Sequence, residues 1–180
     1  MNLIELTHKN DILQTYEIYK HCMFMPTEEK FNKKVEQFLN NNSVKIFACF
    51  SHGKIVGVMA VSFIEQKKVE ILGIAVDLSA RGKGIGSYMI KQVINNYDLL
   101  SVYAETDNDA VGFYQKNNFS ITEFSEIYDG ETVIRYKRDA FHLTVLCIQL
   151  LKYGIDNTLL MHHPTNNNTL VCRAFQKIVE

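Results

Sequence analysis

The stretch that most constrains this chain is residues 69–89, where an apolar run leads through a glycine-rich turn into an amphipathic segment. The first eight residues are apolar except for Glu70 and one glycine, which predicts a buried strand. The sequence Arg-Gly-Lys-Gly-Ile-Gly follows at 81–86. Beyond it, apolar side chains recur at every fourth position, as on one face of a helix: Ile85, Met89, Val93 and Tyr97. The glycines therefore lie at a strand-to-helix turn.

Three glycines and two cations at a helix start indicate a bound phosphate group. The first N–H groups of a helix have no partner within it, and the positive end of the helix dipole attracts anions. Without a Cβ, Gly82, Gly84 and Gly86 let phosphate oxygens approach the backbone, while Arg81 and Lys83 add positive charge. Because a glycine inside a helix costs about 0.5–1 kcal/mol, stability alone does not explain this sequence.

Length, charge and cysteine usage exclude several classes of protein. The 180 residues fit one domain with an appendage. A net charge of -1 gives no reason to expect nucleic acid or an anionic membrane surface as a partner. The apolar runs are too short to span a bilayer, and no secretion signal is visible. Four widely spaced cysteines lack metal-ligand spacing, so we expect reduced thiols, no metal and a cytoplasmic location.

The remaining pattern predicts a mixed α/β fold, of the α+β kind, with helices flanking a predominantly antiparallel sheet. One strand–helix–strand unit gives a central parallel strand pair. The strands are expected at 2–8, 44–50, 55–64, 69–76, 99–106, 119–127 and 132–137. The helices are expected at 11–24, 27–39, 85–97 and 110–116, with Asp11 and Thr27 as caps of the first two and Asp107 or Asn108 as the cap of the last.

We predict two segments, a domain at 1–138 and a C-terminal extension at 139–180. The extension is expected to contain a helix from Asp139 to Tyr153, a short strand at 158–163 and a helix at 169–179. Its stretch 145–151 is apolar nearly all round, which indicates burial against the domain or against a second subunit. A homodimer through this apolar tail is therefore a hypothesis.

Two motifs in 69–119 resemble those of the GNAT superfamily of acetyl-CoA-dependent N-acetyltransferases. The first is Arg-x-x-Gly-x-Gly at 81–86, which is similar to the pyrophosphate loop of that family. The second is Phe-Tyr-x-Lys-x-x-Phe at 113–119, after the next predicted strand. Each lies on the expected element at the expected separation, and the element order extends the resemblance over 1–138. The extension resembles nothing that we recognise.

The resemblance implies a set of residues that bind acetyl-CoA as co-substrate. Backbone groups at the end of the central strand would bond the pantetheine arm, and those of the glycine loop would hold the pyrophosphate. Where the family commonly has an asparagine this chain has Asp107, so the neighbouring Asn108 is taken as a cofactor contact. The implied cofactor-binding residues are Ile74, Ala75, Val76, Arg81, Gly82, Lys83, Gly84, Ile85, Gly86, Ser87 and Asn108.

The chemistry of amine acetylation asks for a base and an acid. A primary amine with a pKa of about 10 is mostly protonated at neutral pH, so a base must take its proton before it attacks a thioester. Glu105 and Glu70 both match positions where family members carry a base, and we favour Glu105 because it lies nearer the gap between the parallel strands. Tyr114 matches the family tyrosine near the cofactor sulfur and would protonate the departing thiolate.

The predicted function is therefore N-acetyltransfer from acetyl-CoA directly to a primary amine of an unidentified small-molecule or peptide acceptor. No cysteine lies beside a visible base, which argues against a covalent enzyme intermediate. The alternative is a catalytically silent sensor or scaffold that binds coenzyme A. A dinucleotide-binding domain and a nucleoside-triphosphate loop are excluded because neither glycine spacing is present.

Overall fold

A computed structural model describes residues 1–106, 108–120, 122–128 and 131–141 of the chain. Residues 142–180 lie outside the described part, and with them lie the predicted strand at 158–163, the helix at 169–179 and nearly all of the predicted extension at 139–180. The two-segment organisation therefore stays a prediction.

A seven-stranded mixed sheet in the order β1-β2-β3-β4-β5-β7-β6 organises the described residues. Only β4 and β5 run parallel, and the other neighbours are antiparallel. The sheet predicted from sequence is thus confirmed. The strands are β1 (Asn2–Leu6), β2 (Val44–Ser51), β3 (Lys54–Glu65), β4 (Lys68–Val76), β5 (Ser101–Thr106), β6 (Thr122–Tyr128) and β7 (Glu131–Phe141).

Helices cover both faces of the sheet, each burying an apolar stripe. On one face, α4 and α5 pack over β4 and β5, with Met89 and Val93 of α4 almost fully buried. On the other face, α1, α2 and α3 pack over β2 and β3 through residues such as Phe31 and Val35. The helices are α1 (Lys9–Leu13), α2 (Tyr16–Tyr19), α3 (Glu28–Leu39), α4 (Ile85–Tyr97) and α5 (Val111–Lys116).

One local signal read from the sequence is confirmed. Thr27 caps α3 by accepting a hydrogen bond from the Lys30 N–H at 3.1 Å. The hairpin between β2 and β3 turns through His52 and Gly53, whose φ angles are 49° and 74°. Two successive positive φ angles in a two-residue loop match the right-handed twist of the flanking strands.

The single helix predicted at 11–24 is wrong, because this stretch forms α1, α2 and a 3-10 turn at Lys20–Cys22. Thr15 lies at the break, is 0% exposed, and donates its Oγ1 proton to the Ile12 carbonyl at 2.7 Å. Such a side-chain bond competes with the helical ladder. Asp11 does not act as the cap either, since α1 begins after His8.

Two further boundaries differ from the prediction. The expected cap of α5 at Asn108 is wrong, because Asn108–Ala110 forms a 3-10 turn and Ala110 occupies the cap position; residue 107 is outside the described part. Strand β7 runs to Phe141 and pairs with β5 over residues 136–141, so Asp139 lies in a strand and does not begin a helix. Pairing with β5 therefore keeps this stretch in a strand where the sequence predicted the start of a helix.

The central parallel pair separates halfway along β4, and this separation positions the site. The β4–β5 ladder runs only from Lys68 to Ile71 on β4, within the described residues. On its other edge β4 pairs with β3 as far as Val76, with a register shift that leaves Leu72 as an extra residue. The backbone of β4 beyond Ile71 therefore has one edge that β5 does not cover.

Candidate active site

A cavity of about 1030 Å³ opens where β4 and β5 separate. The second half of β4, the glycine loop, the start of α4, the end of β5 and α5 line it. Eleven of the fourteen predicted site residues are in its wall: Ile74, Ala75, Val76, Arg81, Gly82, Gly84, Ile85, Gly86, Ser87, Glu105 and Tyr114. Lys83 and Glu70 are not among the lining residues, and the side chain of Asn108 is not described.

The glycine loop takes a backbone conformation that other residues adopt only with strain. Gly82 and Gly84 have φ angles of 76° and 75°, in the left-handed region. A Cβ at either position would meet no heavy atom within 4 Å among the described residues, so the backbone angle, and not crowding, explains these two glycines. Gly84 is the N-cap of α4 and supplies no side-chain bond. The first amides of α4 therefore keep donors for an anion.

Three side chains form hydrogen bonds within the loop. Asp77 accepts a hydrogen bond from the Ser79 N–H at 2.9 Å and another from the Ser79 hydroxyl, and these bonds lower the pKa of Asp77. Arg81 Nε donates to the Val76 carbonyl at 3.3 Å, and Lys83 Nζ donates to the Ser79 carbonyl at 3.1 Å. Lys83 thus contacts the loop backbone away from the cavity lining, and its predicted role in binding stays a prediction.

Gly86 has a packing role that the sequence did not reveal. A Cβ at Gly86 would lie 2.8 Å from Cε2 of Phe113 and 2.9 Å from its Cζ. The missing side chain therefore lets α5 approach the first turn of α4. This close approach brings the neighbouring Tyr114 to the same cavity.

Tyr114 is held by Phe113 on α5 and by Phe119, which follows the end of α5. It is 4% exposed, and its ring makes edge contacts with Phe113 and Phe119, each at a centroid distance of 5.1 Å. The end of α5 closes with Phe119 N–H bonded to the Tyr114 carbonyl and Asn118 N–H bonded to the Gln115 carbonyl. Asn118 has a φ of 60°, in the left-handed region that often ends a helix. The aromatic pair and the helix end thus fix the ring in the cavity wall.

The structure separates the two carboxylates. Glu105 follows the last β4–β5 pair, lines the cavity and accepts a hydrogen bond from the Tyr103 hydroxyl at 2.7 Å. Glu70 lies opposite Tyr103 within the paired part of β4 and is not among the lining residues. Tyr103, which the sequence did not single out, therefore orients the carboxylate that reaches the cavity. This geometry favours Glu105 over Glu70 as the base.

Sequence reasoning missed the wall contributed by the segment after α2: His21, Cys22, Met23 and Phe24. The 3-10 turn at Lys20–Cys22 brings this segment to β4, and Cys22 Sγ donates to the Tyr19 carbonyl at 3.1 Å. The close approach depends on Gly73, because a Cβ there would lie 2.4 Å from the Tyr19 hydroxyl. An isolated glycine inside an apolar strand is the signal that could have indicated it.

Burial raises the pKa of the Cys22 thiol to about 12, although the charge of Lys34 opposes the shift. The thiol therefore stays neutral at all physiological pH values and is a poor nucleophile.

We expect Cys22→Ala to retain kcat within about twofold, because a neutral thiol supplies no covalent step. We also expect iodoacetamide to label Cys22 at least ~100-fold more slowly in the folded than in the unfolded chain. Loss of turnover together with fast labelling would contradict this assignment.

The described residues contain neither a metal-binding cluster nor a membrane-spanning helix. Within them no group of three or more His, Cys, Asp or Glu side chains is placed to hold a metal ion. In the same part of the chain, no helix is long and apolar enough to cross a membrane.

Comparison with known proteins gives the family of this chain. Residues 12–119 match the family model described as the acetyltransferase (GNAT) family. The chain therefore belongs to the GNAT family of acetyltransferases, as its two motifs predicted. A search of curated proteins finds no match.

Solved structures share this fold at low sequence identity. One is a GNAT family acetyltransferase from Elizabethkingia anophelis with acetyl-CoA bound, with a TM-score of 0.59 and 20% identity over 78% of this chain and 97% of that one. A spermidine N-acetyltransferase variant from Vibrio cholerae has a TM-score of 0.63 and 12% identity, over 83% of this chain and 99% of that one. A ribosomal-protein-alanine N-acetyltransferase from Brucella melitensis has a TM-score of 0.60 and 14% identity, over 78% of this chain and 99% of that one. These identities support a shared fold and leave the acceptor open.

Proposed function

We propose that this chain transfers an acetyl group from acetyl-CoA directly to a primary amine. The observation that carries the proposal is one cavity that joins the uncovered edge of β4 to the glycine loop and to Tyr114 and Glu105. Family membership supports acyl transfer, and the solved relative from Elizabethkingia anophelis holds acetyl-CoA.

The residues of the cavity fit such a ligand. The amides at the start of α4 have no side-chain cap, and Arg81 adds a positive charge beside them, which suits a diphosphate. The edge of β4 at Ile74, Ala75 and Val76 offers backbone donors and acceptors to an extended amide-containing arm. When bound, acetyl-CoA supplies an acyl group activated as a thioester.

Two side chains then handle protons. Glu105 takes a proton from the attacking amine, directly or through a water. As the nitrogen bonds to the acyl carbon and the carbon–sulfur bond breaks, Tyr114 gives its hydroxyl proton to the departing thiolate. The products are an N-acetyl amide and a free thiol. The neutral Cys22 takes no part in this scheme.

Turnover separates this proposal from the silent sensor. A panel of primary amines is incubated with the intact chain and acetyl-CoA, and free thiol is measured together with the acetylated amine. We expect thiol release that depends on the amine and matches amide formation. Saturable coenzyme A binding with no turnover on any amine would contradict the enzyme and favour the sensor or scaffold.

A cytoplasmic location and a homodimer stay predictions, and a monomeric mass in solution would contradict the dimer.

We expect Glu105→Gln to lower kcat about 100-fold, since a positioned base contributes about 10²–10⁴ in rate. Glu70→Gln is the matched control, because it makes the same change on the neighbouring strand outside the cavity lining. Its kcat should stay within about threefold of the parent. Steady-state kinetics at saturating acetyl-CoA measures both. A large loss in the Glu70 variant and none in the Glu105 variant would reverse the assignment.

A further inference from the structure

A second pocket, of about 360 Å³, lies beside the catalytic cavity. The two share one wall, because Cys22, Met23 and Phe24 line both. The opposite side of the second pocket is formed by α3, through Lys30, Lys33, Lys34 and Gln37. We call this second space the lysine pocket. The lysine pocket therefore adjoins the catalytic cavity at Cys22, Met23 and Phe24.

The lysine pocket is positively charged. Lys33 and Lys34 lie three and four residues after Lys30 on α3, so the three lysines share one face of the helix. No carboxylate is among its lining residues, all of which lie in the described part of the chain. Lys33 is ion-paired with Glu29 at 2.7 Å, but both side chains are largely exposed, so the pair is weak.

The other two lysines have neutral neighbours. Lys30 Nζ donates to the Met25 carbonyl at 3.0 Å, and Lys34 Nζ lies 5.5 Å from the centroid of the Phe38 ring. Neither forms an ion pair within the described residues. Both ammonium groups therefore keep their charge available to an anion, and the charge of Lys34 already reaches Cys22 in the shared wall.

The catalytic cavity has acidic as well as basic side chains in its lining, the basic ones including Arg81 and Lys116. Its lining includes the carboxylates Glu105 and Asp109, which attract an amine. The shared wall between the two spaces is apolar at Met23 and Phe24, and the side chain of Phe24 is 86% exposed. The shared wall thus lies between a cavity whose lining includes carboxylates and a pocket whose lining includes three lysines.

We propose that the acceptor is a small primary amine that also carries an anionic group, and that the lysine pocket binds this anion while the amine faces Glu105. This inference rests on the proposed function and specifies the substrate class of the same site. A carboxylate and a phosphate share the chemistry that the lysines recognise. Polycationic amines are disfavoured, because their additional charges would lie against the three lysines.

Matched acceptors test the substrate class. O-phosphoethanolamine is compared with ethanolamine, and 4-aminobutyrate with 4-aminobutanamide, so that each pair shares its amine and differs in the anion. Spermidine is the cationic comparison. We expect kcat/KM to favour the anionic member of at least one pair about tenfold or more, and this preference to weaken with salt. A preference in the ethanolamine pair indicates a phosphate as the bound anion, and a preference in the 4-aminobutyrate pair indicates a carboxylate. Equal use within both pairs, or a preference for spermidine, would overturn the proposal.

Variants test the place of binding. In Lys30→Gln/Lys34→Gln we expect KM for the preferred anionic acceptor to rise about tenfold, with kcat and the KM of its uncharged partner unchanged. Lys91→Gln, at an exposed position of α4 outside both pockets, is the control and should change neither KM. An equal rise for charged and uncharged acceptors would overturn the assignment of the anion to these lysines.

A binding measurement separates failure of this inference from failure of the proposed function. The methyl group of Met23 is labelled with ¹³C, and its NMR signal is followed while O-phosphoethanolamine or 4-aminobutyrate is added. We expect a saturable shift in the parent chain that is lost in Lys30→Gln/Lys34→Gln, whether or not any amine is acetylated. No shift with either anion would overturn the lysine pocket as an anion site. Turnover of uncharged amines would then still stand for the proposed function.

Discussion

Gly84→Glu is expected to abolish coenzyme A binding. Gly84 has a φ of 75° and is the N-cap of α4, so the substitution adds backbone strain, bulk and a negative charge where the diphosphate is expected. We expect Kd for coenzyme A to rise by more than about 100-fold, which corresponds to about 2.8 kcal/mol. Isothermal titration calorimetry on the folded variant measures this change.

Gly53→Glu is the matched control for this variant. Gly53 has a φ of 74°, and a Cβ there would likewise meet nothing within 4 Å in the described residues, but it lies in the β2–β3 hairpin and does not line the cavity. Strain and charge are therefore the same in both variants, and only the location differs. Normal binding by a folded Gly84 variant would show that the loop does not hold the cofactor.

Tyr114→Phe is expected to lower kcat about 100-fold while the Kd for coenzyme A stays within about twofold. The substitution removes only the hydroxyl, and the ring contacts with Phe113 and Phe119 remain. Proton donation to the thiolate is needed only as the carbon–sulfur bond breaks, so the loss falls on turnover and not on binding.

Tyr88→Phe controls for the loss of a tyrosine hydroxyl. Tyr88 is on α4, where its hydroxyl donates to the Met1 carbonyl at 2.8 Å, and it does not line the cavity. We expect its kcat to match that of the parent chain. Equal turnover by the Tyr114 variant and the parent would remove this hydroxyl from the mechanism.

The sheet was predictable because its signals are local. Apolar runs with turn residues between them marked each strand, and the helix between β4 and β5 required a parallel pair. The strand–glycine–helix stretch also located most of the cavity wall, since the φ angles of Gly82 and Gly84 depend on these residues themselves. Thr27 is a further case, because its own side chain caps the start of α3.

The parts that were not predictable depend on individual side-chain contacts, several of them between residues distant in sequence. Thr15 interrupts a helical pattern because its hydroxyl is buried and bonds to a carbonyl, which periodicity does not show. Gly86 and Gly73 accommodate Phe113 and Tyr19, which lie far away in sequence. The wall at Cys22 and the lysine pocket exist because α3 and the preceding turn meet beside β4. Tyr103 was not predicted because the strand pattern places it on the same face of β5 as Glu105 without showing that its hydroxyl bonds to that carboxylate.

The most direct test is calorimetry of the intact chain with coenzyme A and acetyl-CoA up to millimolar concentration. A glycine loop with left-handed residues, uncapped helix amides and an uncovered strand edge in one cavity predicts saturable binding of one ligand per chain. The binding should weaken with salt because a diphosphate contributes to it. Absence of any heat of binding from either ligand in a folded sample would contradict the assignment of this cavity and the function proposed for it.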